Sequence, residues 1–202
     1  SLHDALPISG TYLAHFLSHY AFQHQAQALL HQLGDVYHRD VFAANIGLAY
    51  HDQIMGDLTM NVGQTVYRQG QEGYIRIQFR YPVGMSETTI LTQIQRHVGP
   101  LKAKIFKEVQ FGSQPHMVDL NDVIVTKLQN IYAQQTNTDK TYKISNGGSY
   151  ARLLKRGVAF GGQFPNLPVM SHQPDEYVLL SNISRAQAIF AQALYELAET
   201  TT

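Results

Sequence analysis

The spacing of apolar residues switches between two periods along the first half of this chain, and that pattern limits the folds open to it. Over residues 11–33, Leu13, Phe16, Leu17, Tyr20 and Phe22, then Ala26, Leu29, Leu30 and Leu33, recur mostly at steps of three and four, which predicts a helix. Over residues 47–80 the period becomes two. Leu58, Met60 and Val62 alternate with Thr59 and Asn61, and Ile75, Ile77 and Phe79 alternate with Arg76, Gln78 and Arg80. The turn-forming run Gln69, Gly70, Gln71, Glu72 and Gly73 lies between them, so the pair predicts a β-hairpin with two arginines on the polar face of its second strand. Pro82 and Gly84 break that strand. Ser86 is placed to cap a helix with Ile90, Leu91, Ile94 and Val98 on one face, closed by Gly99 and Pro100. Residues 103–109 read as a further strand. Helix, two strands, helix and strand make a small α+β layer, with helices on one face of an antiparallel sheet.

A linker at 112–115 leads to a second block. Residues 119–132 are expected to be helical, with Leu120, Val123, Ile124, Leu128 and Ile131 inward. Short strands are expected at 142–145 and 158–161. Asn146, Gly147, Gly148 and Ser149 read as a tight turn before a short helix at 150–155. A loop containing Pro and Gly follows. The last helix, 184–199, carries Ala186, Ile189, Phe190, Ala193, Leu194 and Leu197 as one apolar stripe.

Composition narrows the function classes. Fifteen basic residues balance fifteen acidic ones in the 202-residue chain, so no basic excess favours nucleic acid as a partner. No apolar run reaches the ~18 residues of a membrane span. Cys is absent, which removes thiol chemistry and fits a cytoplasmic protein. The opening SLHDALPIS lacks the basic and apolar regions of a signal peptide, and residues 1–9 are expected to be foreign to the fold or disordered.

Four places could carry chemistry. His15 and His19 share a helical face at a metal-ligand spacing, but no neighbouring Glu or third ligand accompanies them, so a solvated face is expected. The Gly147, Gly148 and Ser149 turn would present free backbone N–H groups at the start of a helix, an arrangement suited to an anion. His172 sits in an irregular loop with Ser171, Gln173, Asp175 and Glu176, where a rigid scaffold could position it. Arg80 ends a strand and has the planar fork that grips a carboxylate. By itself each has an ordinary structural explanation.

The order of several short segments adds to this. HDQIMGDLTMNVG at 51–63, FRYPVG at 79–84, GGSYARLLKRGVAFGGQFP at 147–165, MSHQPDEY at 170–177 and AIFAQALYELAE at 188–199 follow one another. In that order the chain resembles the dipeptidase V (PepV) group of the aminoacylase and carnosinase-like metallopeptidases, from about Gly10 to its end. The resemblance implies an α/β catalytic domain that holds two divalent metal ions, zinc or manganese, with an α+β lid domain inserted in it. Residues 10–111 would be the later half of the lid, and residues 112–202 the C-terminal part of the catalytic domain. His172 matches the last metal ligand, Arg80 the lid arginine that binds the dipeptide's free carboxylate, and Gly147, Gly148 and Ser149 the glycine-rich turn against the substrate. Glu176 falls where the family also has Glu.

The sequence departs from that pattern at Asn146, where the family has Gly, at Ser149, where it has Thr, and at Ser171 and Pro174 beside His172. The family's His-x-Asp segment, bridging Asp, paired Glu residues and lid His have no counterpart. The chain is therefore expected to be a C-terminal fragment, without catalytic residues of its own and inactive alone. Its terminal block is expected to show an exposed sheet edge and apolar face where the missing N-terminal half would pack. Two alternatives are an N-acyl amino acid deacylase of the same superfamily and a noncatalytic peptide-binding or dimerisation module. A dinucleotide site at GVAFGG is excluded, because no βαβ unit with GxGxxG surrounds it.

Overall fold

In the computed structural model, residues 8–101, 103–108, 114–145, 149–165, 167–171 and 173–199 are described. Among these residues, five α-helices and two small antiparallel sheets make an α+β mix, and the chain forms two compact units, Ser1–Pro115 and His116–Thr202.

In the first unit, the single helix expected over 11–33 is two helices and a π-helical turn. These are α1 (Ser9–Ser18), α2 (His24–His31) and the π-turn Gln32–Val36. Gln27 bridges the break: its amide oxygen accepts from the Phe22 N–H at 3.1 Å and its amide nitrogen donates to the Ser18 carbonyl at 3.3 Å. The break lets the chain double back, so that α1 lies against the π-turn. The approach is close enough that a Cβ at Gly34 would meet the His15 Cα at 2.6 Å. Small residues therefore face inward. Thr11 and Ala14 are buried, whereas Leu13 and Phe16, which the periodicity marks as apolar anchors, are 58% and 59% exposed.

The hairpin forms as expected. Strand β3 (Thr59–Val66) pairs antiparallel with β4 (Tyr74–Arg80), with Thr59 opposite Arg80, Met60 opposite Phe79 and an irregularity between Val62 and Gln64. Alternation places Leu58, Met60 and Val62 in the core with Leu33, Tyr37, Ile46, Leu48 and Ile90. A small hairpin precedes it, β1 (His51–Asp52) with β2 (Gly56–Asp57). Helix α3 (Glu87–Val98) is capped by Ser86, whose hydroxyl accepts from the Thr89 N–H at 3.0 Å. A 3-10 turn at Gly99–Leu101 ends it. The strand expected at 103–109 is not present among the described residues 103–108, and Phe106 there is exposed. A strand needs a neighbour's backbone, and among the described residues neither two-stranded sheet gains a third strand.

In the second unit, α4 (Val123–Thr136) starts four residues later than the periodicity suggests. The Asp119 side chain accepts from the Asn121 N–H and holds a turn, and Asp122, accepting from the Ile124 N–H at 2.9 Å, is the cap. Val123 is exposed as a result, and Val125, Leu128 and Ile131 are buried. Helix α5 (Leu180–Ala198) packs Ile189 and Ala193 with Leu128, Ile131 and Phe164. Phe190 and Leu194, expected in the same stripe, are exposed. The strands expected at 142–145 and 158–161 are irregular, and no strand occurs among the described residues of this unit. The apolar face expected of this block is present on α5, where Leu180, Ile183, Phe190 and Leu194 are exposed. No described helix is long and apolar enough to cross a membrane.

Candidate functional site

The polar face of β4 carries Arg76, Gln78 and Arg80, and its two arginines are in different circumstances. Arg76 donates to the Gln64 side-chain oxygen and to Glu108, both at 3.0 Å. Its fork is engaged. Arg80 is exposed, and no side-chain hydrogen bond or ion pair joins it among the described residues. The backbone beneath it is fixed on both sides. Thr59 lies opposite in the ladder. Just beyond, the Val83 N–H points to the Met55 sulfur at 3.4 Å, and Gly84, at φ +90°, lies so close to the Tyr50 hydroxyl that a Cβ would meet it at 2.2 Å. A guanidinium on a fixed strand end with its donors uncommitted can take a planar anion.

Beside it, the β1–β2 hairpin is tied by His51 Nδ1 and Asp57 Oδ1 at 2.7 Å. Asp52 accepts from the Met55 and Ile54 N–H groups, and these bonds hold its carboxyl below the ordinary range.

Of the turn at 146–149, Asn146, Gly147 and Gly148 lie outside the described residues. Ser149 is half-buried. Its hydroxyl oxygen accepts from the Ala151 N–H at 3.2 Å and caps a 3-10 turn, Tyr150–Leu153. The helix expected at 150–155 is therefore one short turn. It offers no helix dipole, so the anion site argued from a helix N-terminus loses that support. The Ser149 O–H can still donate. The turn is strapped from below, where Gly157 accepts from His116 Nε2 at 2.6 Å.

His172 also lies outside the described residues. Its loop turns where the Gln173 N–H donates to the Met170 carbonyl at 3.1 Å, and Asp175 takes a left-handed φ of 58°. Among the described residues no group of three or more His, Cys, Asp or Glu could hold a metal ion. A two-metal centre needs several such donors, so the described residues do not furnish one. His15 and His19 do not converge on a common point either: His15 Nδ1 meets the Gly34 carbonyl at 2.9 Å and His19 Nδ1 the His15 carbonyl at 2.8 Å. Periodicity gave no sign of the contrast between Arg76 and Arg80, because Glu108 is distant in sequence.

No family model matches the chain. Curated relatives do. It is 33% identical over 189 residues to the Beta-Ala-Xaa dipeptidase of Lactobacillus delbrueckii subsp. lactis, covering 94% of this chain and 40% of that protein. It is 34% identical over 191 residues to a Bacillus subtilis (strain 168) protein named "Putative dipeptidase YtjP", covering 95% of this chain and 40% of that one. A Staphylococcus haemolyticus protein named "Putative dipeptidase SH1171" is 34% identical over 94% of this chain and 40% of its own length. The chain thus spans about two fifths of the length of the relatives it matches.

Proposed function

We propose that this chain, which belongs with the dipeptidases it matches along nearly its whole length, is the C-terminal part of a metal-dependent dipeptidase, in which Arg80 binds the free carboxylate of the substrate. Residues 10–111 are then a partial lid domain and residues 112–202 the end of the catalytic domain. His172 serves as one ligand to a pair of divalent metal ions, zinc or manganese. The other ligands come from the part of the relatives' length that this chain does not span. Gly147, Gly148 and Ser149 lie against the substrate, with the Ser149 O–H as a donor. The dipeptide is the substrate and the cytoplasm the setting.

The supporting observation is the contrast on β4. Arg76 is paired with Glu108, while Arg80, on the same face, has no side-chain partner among the described residues. Gripping the far end of the substrate orients the scissile bond and restricts the enzyme to very short peptides. When bound, divalent metals would polarise the peptide carbonyl and activate water. This chain's own part is to bind and orient. Alone, it is expected to hydrolyse nothing.

The test compares a β-alanyl dipeptide with its C-terminal amide in the full-length protein that contains this chain. Wild type should prefer the free acid. Arg80→Ala should lower kcat/KM for the acid roughly 10- to 100-fold and leave the amide almost unchanged. An Arg80→Ala enzyme that keeps the full preference would overturn the assignment.

A further inference from the structure

Four imidazoles and one guanidinium collect where α1 meets the π-turn. The rings of His15 and His38 stack, with centroids 4.7 Å apart and planes 7° from parallel. Tyr12 meets the His38 ring edge-on at 4.4 Å, and His19 meets His15 at 5.2 Å. Arg39 lies over the Tyr12 ring and donates to its hydroxyl at 3.2 Å.

The proton positions follow from the partners. The Gly34 carbonyl can only accept, so His15 donates from Nδ1. Thr11 Oγ1 already donates to the Ile8 carbonyl, so it accepts from His38 Nδ1. His38 must therefore take a second proton at Nε2. One carboxylate among the described residues serves this group. Asp35 pairs with His31 Nδ1 at 2.6 Å and stands 3.6 Å from His15 Nδ1. No carboxylate reaches His38 among the described residues; its charged or chargeable neighbours are His15 and Arg39.

We propose that the contact between α1 and the π-turn is a proton-sensitive joint, closed at neutral pH and loosened when His38, stacked on His15 and facing Arg39, takes a proton. Imidazoles gain protons between about pH 8 and 5. A proton on His38 puts its charge against the Arg39 guanidinium and the His15 ring, and the one nearby carboxylate, Asp35, is already paired with His31. His38 is the weak point. Burial, then His15, then Arg39 hold its affinity for a proton down. A folded value depressed below the ordinary 6.5 means that stability is full above that pH. It begins to be lost as pH falls through 6.5 and the loss is complete below the folded value. The same face of α1 touches the π-turn at Gly34, so the His15 ring and the backbone contact are carried by one residue.

Amide exchange in the chain at pH 7.5 and 5.5, corrected for the intrinsic pH dependence, tests this. Protection at the buried Ala14 and Gly34 should fall about tenfold at pH 5.5. His38→Gln retains a donor for Thr11 but cannot be charged, and should remove most of that fall. His51→Gln, in the separate β1–β2 hairpin, should leave it in place. Equal protection at the two pH values, or the same fall in His38→Gln, would overturn the proposal. Should His38→Gln not fold, ring titration of wild type decides. A His38 that protonates with the His15–Gly34 contact intact contradicts the joint; one that protonates as the contact is lost supports it.

Discussion

Gly34 shows what one residue determines here. Its missing side chain lets α1 lie on the π-turn, and a Cβ would enter the His15 backbone at 2.6 Å. Gly34→Ala should therefore destabilise the first unit by roughly 1–3 kcal/mol, read as a lower urea midpoint with the slope unchanged. A midpoint equal to wild type would show that the backbones can part without cost. Asp122 supplies the pH-dependent counterpart in the second unit. The Arg156 guanidinium, bonded to its carboxylate at 2.8 and 2.9 Å, and then the Ile124 N–H hold that carboxyl below the ordinary range. A depressed folded value contributes stability that is present above the unfolded value, about 3.9. That stability is lost as pH falls through the folded value. Asp122→Asn should be less stable than wild type at pH 7, and the two thermal midpoints should converge towards pH 2. Parallel curves would contradict the pairing. At this scale the sequence offered Arg80 as a candidate, but only the fold distinguishes it from Arg76.

Among elements, those that depend on local chemistry were readable and those that depend on a distant partner were not. Ser86 announces α3 by its residue type and by the apolar spacing that follows, and it caps that helix as read. Ser86→Ala should cost about 1 kcal/mol in chemical denaturation, while Thr88→Ala on the exposed first turn should change little. A Ser86→Ala protein as stable as wild type would mean that the cap contributes nothing. The β3–β4 hairpin was legible because alternation and a turn are both local. The strands read at 142–145 and 158–161 failed for the opposite reason: an apolar run becomes a strand only where another backbone pairs with it. Helix α4 was misplaced because two aspartates compete to start it and Asp122 prevails. The break after α1 falls where the apolar step from Tyr20 to Phe22 shortens to two, and no Gly or Pro marks it; Gln27 bridges it instead.

For the molecule as a whole, the two units leave apolar side chains in water, Leu180 and Leu194 on α5 among them. Such a face favours self-association. Leu194→Glu should raise the concentration at which the chain begins to scatter light, and an unchanged threshold would place the sticky surface elsewhere. The resemblance was legible from the order of short motifs, and proteins named dipeptidases match 94% of the chain. The geometry of the proposed centre was not, because His172, Gly147 and Gly148 lie outside the described residues. The central claim is that this chain is one part of a metal-dependent dipeptidase, and sequencing the source DNA upstream of the Thr11 codon tests it most directly. The account predicts an open frame encoding a His-x-Asp segment and paired Glu residues. A start codon close to Thr11, with no such ligands before it, would contradict it and leave a binding module as the better explanation.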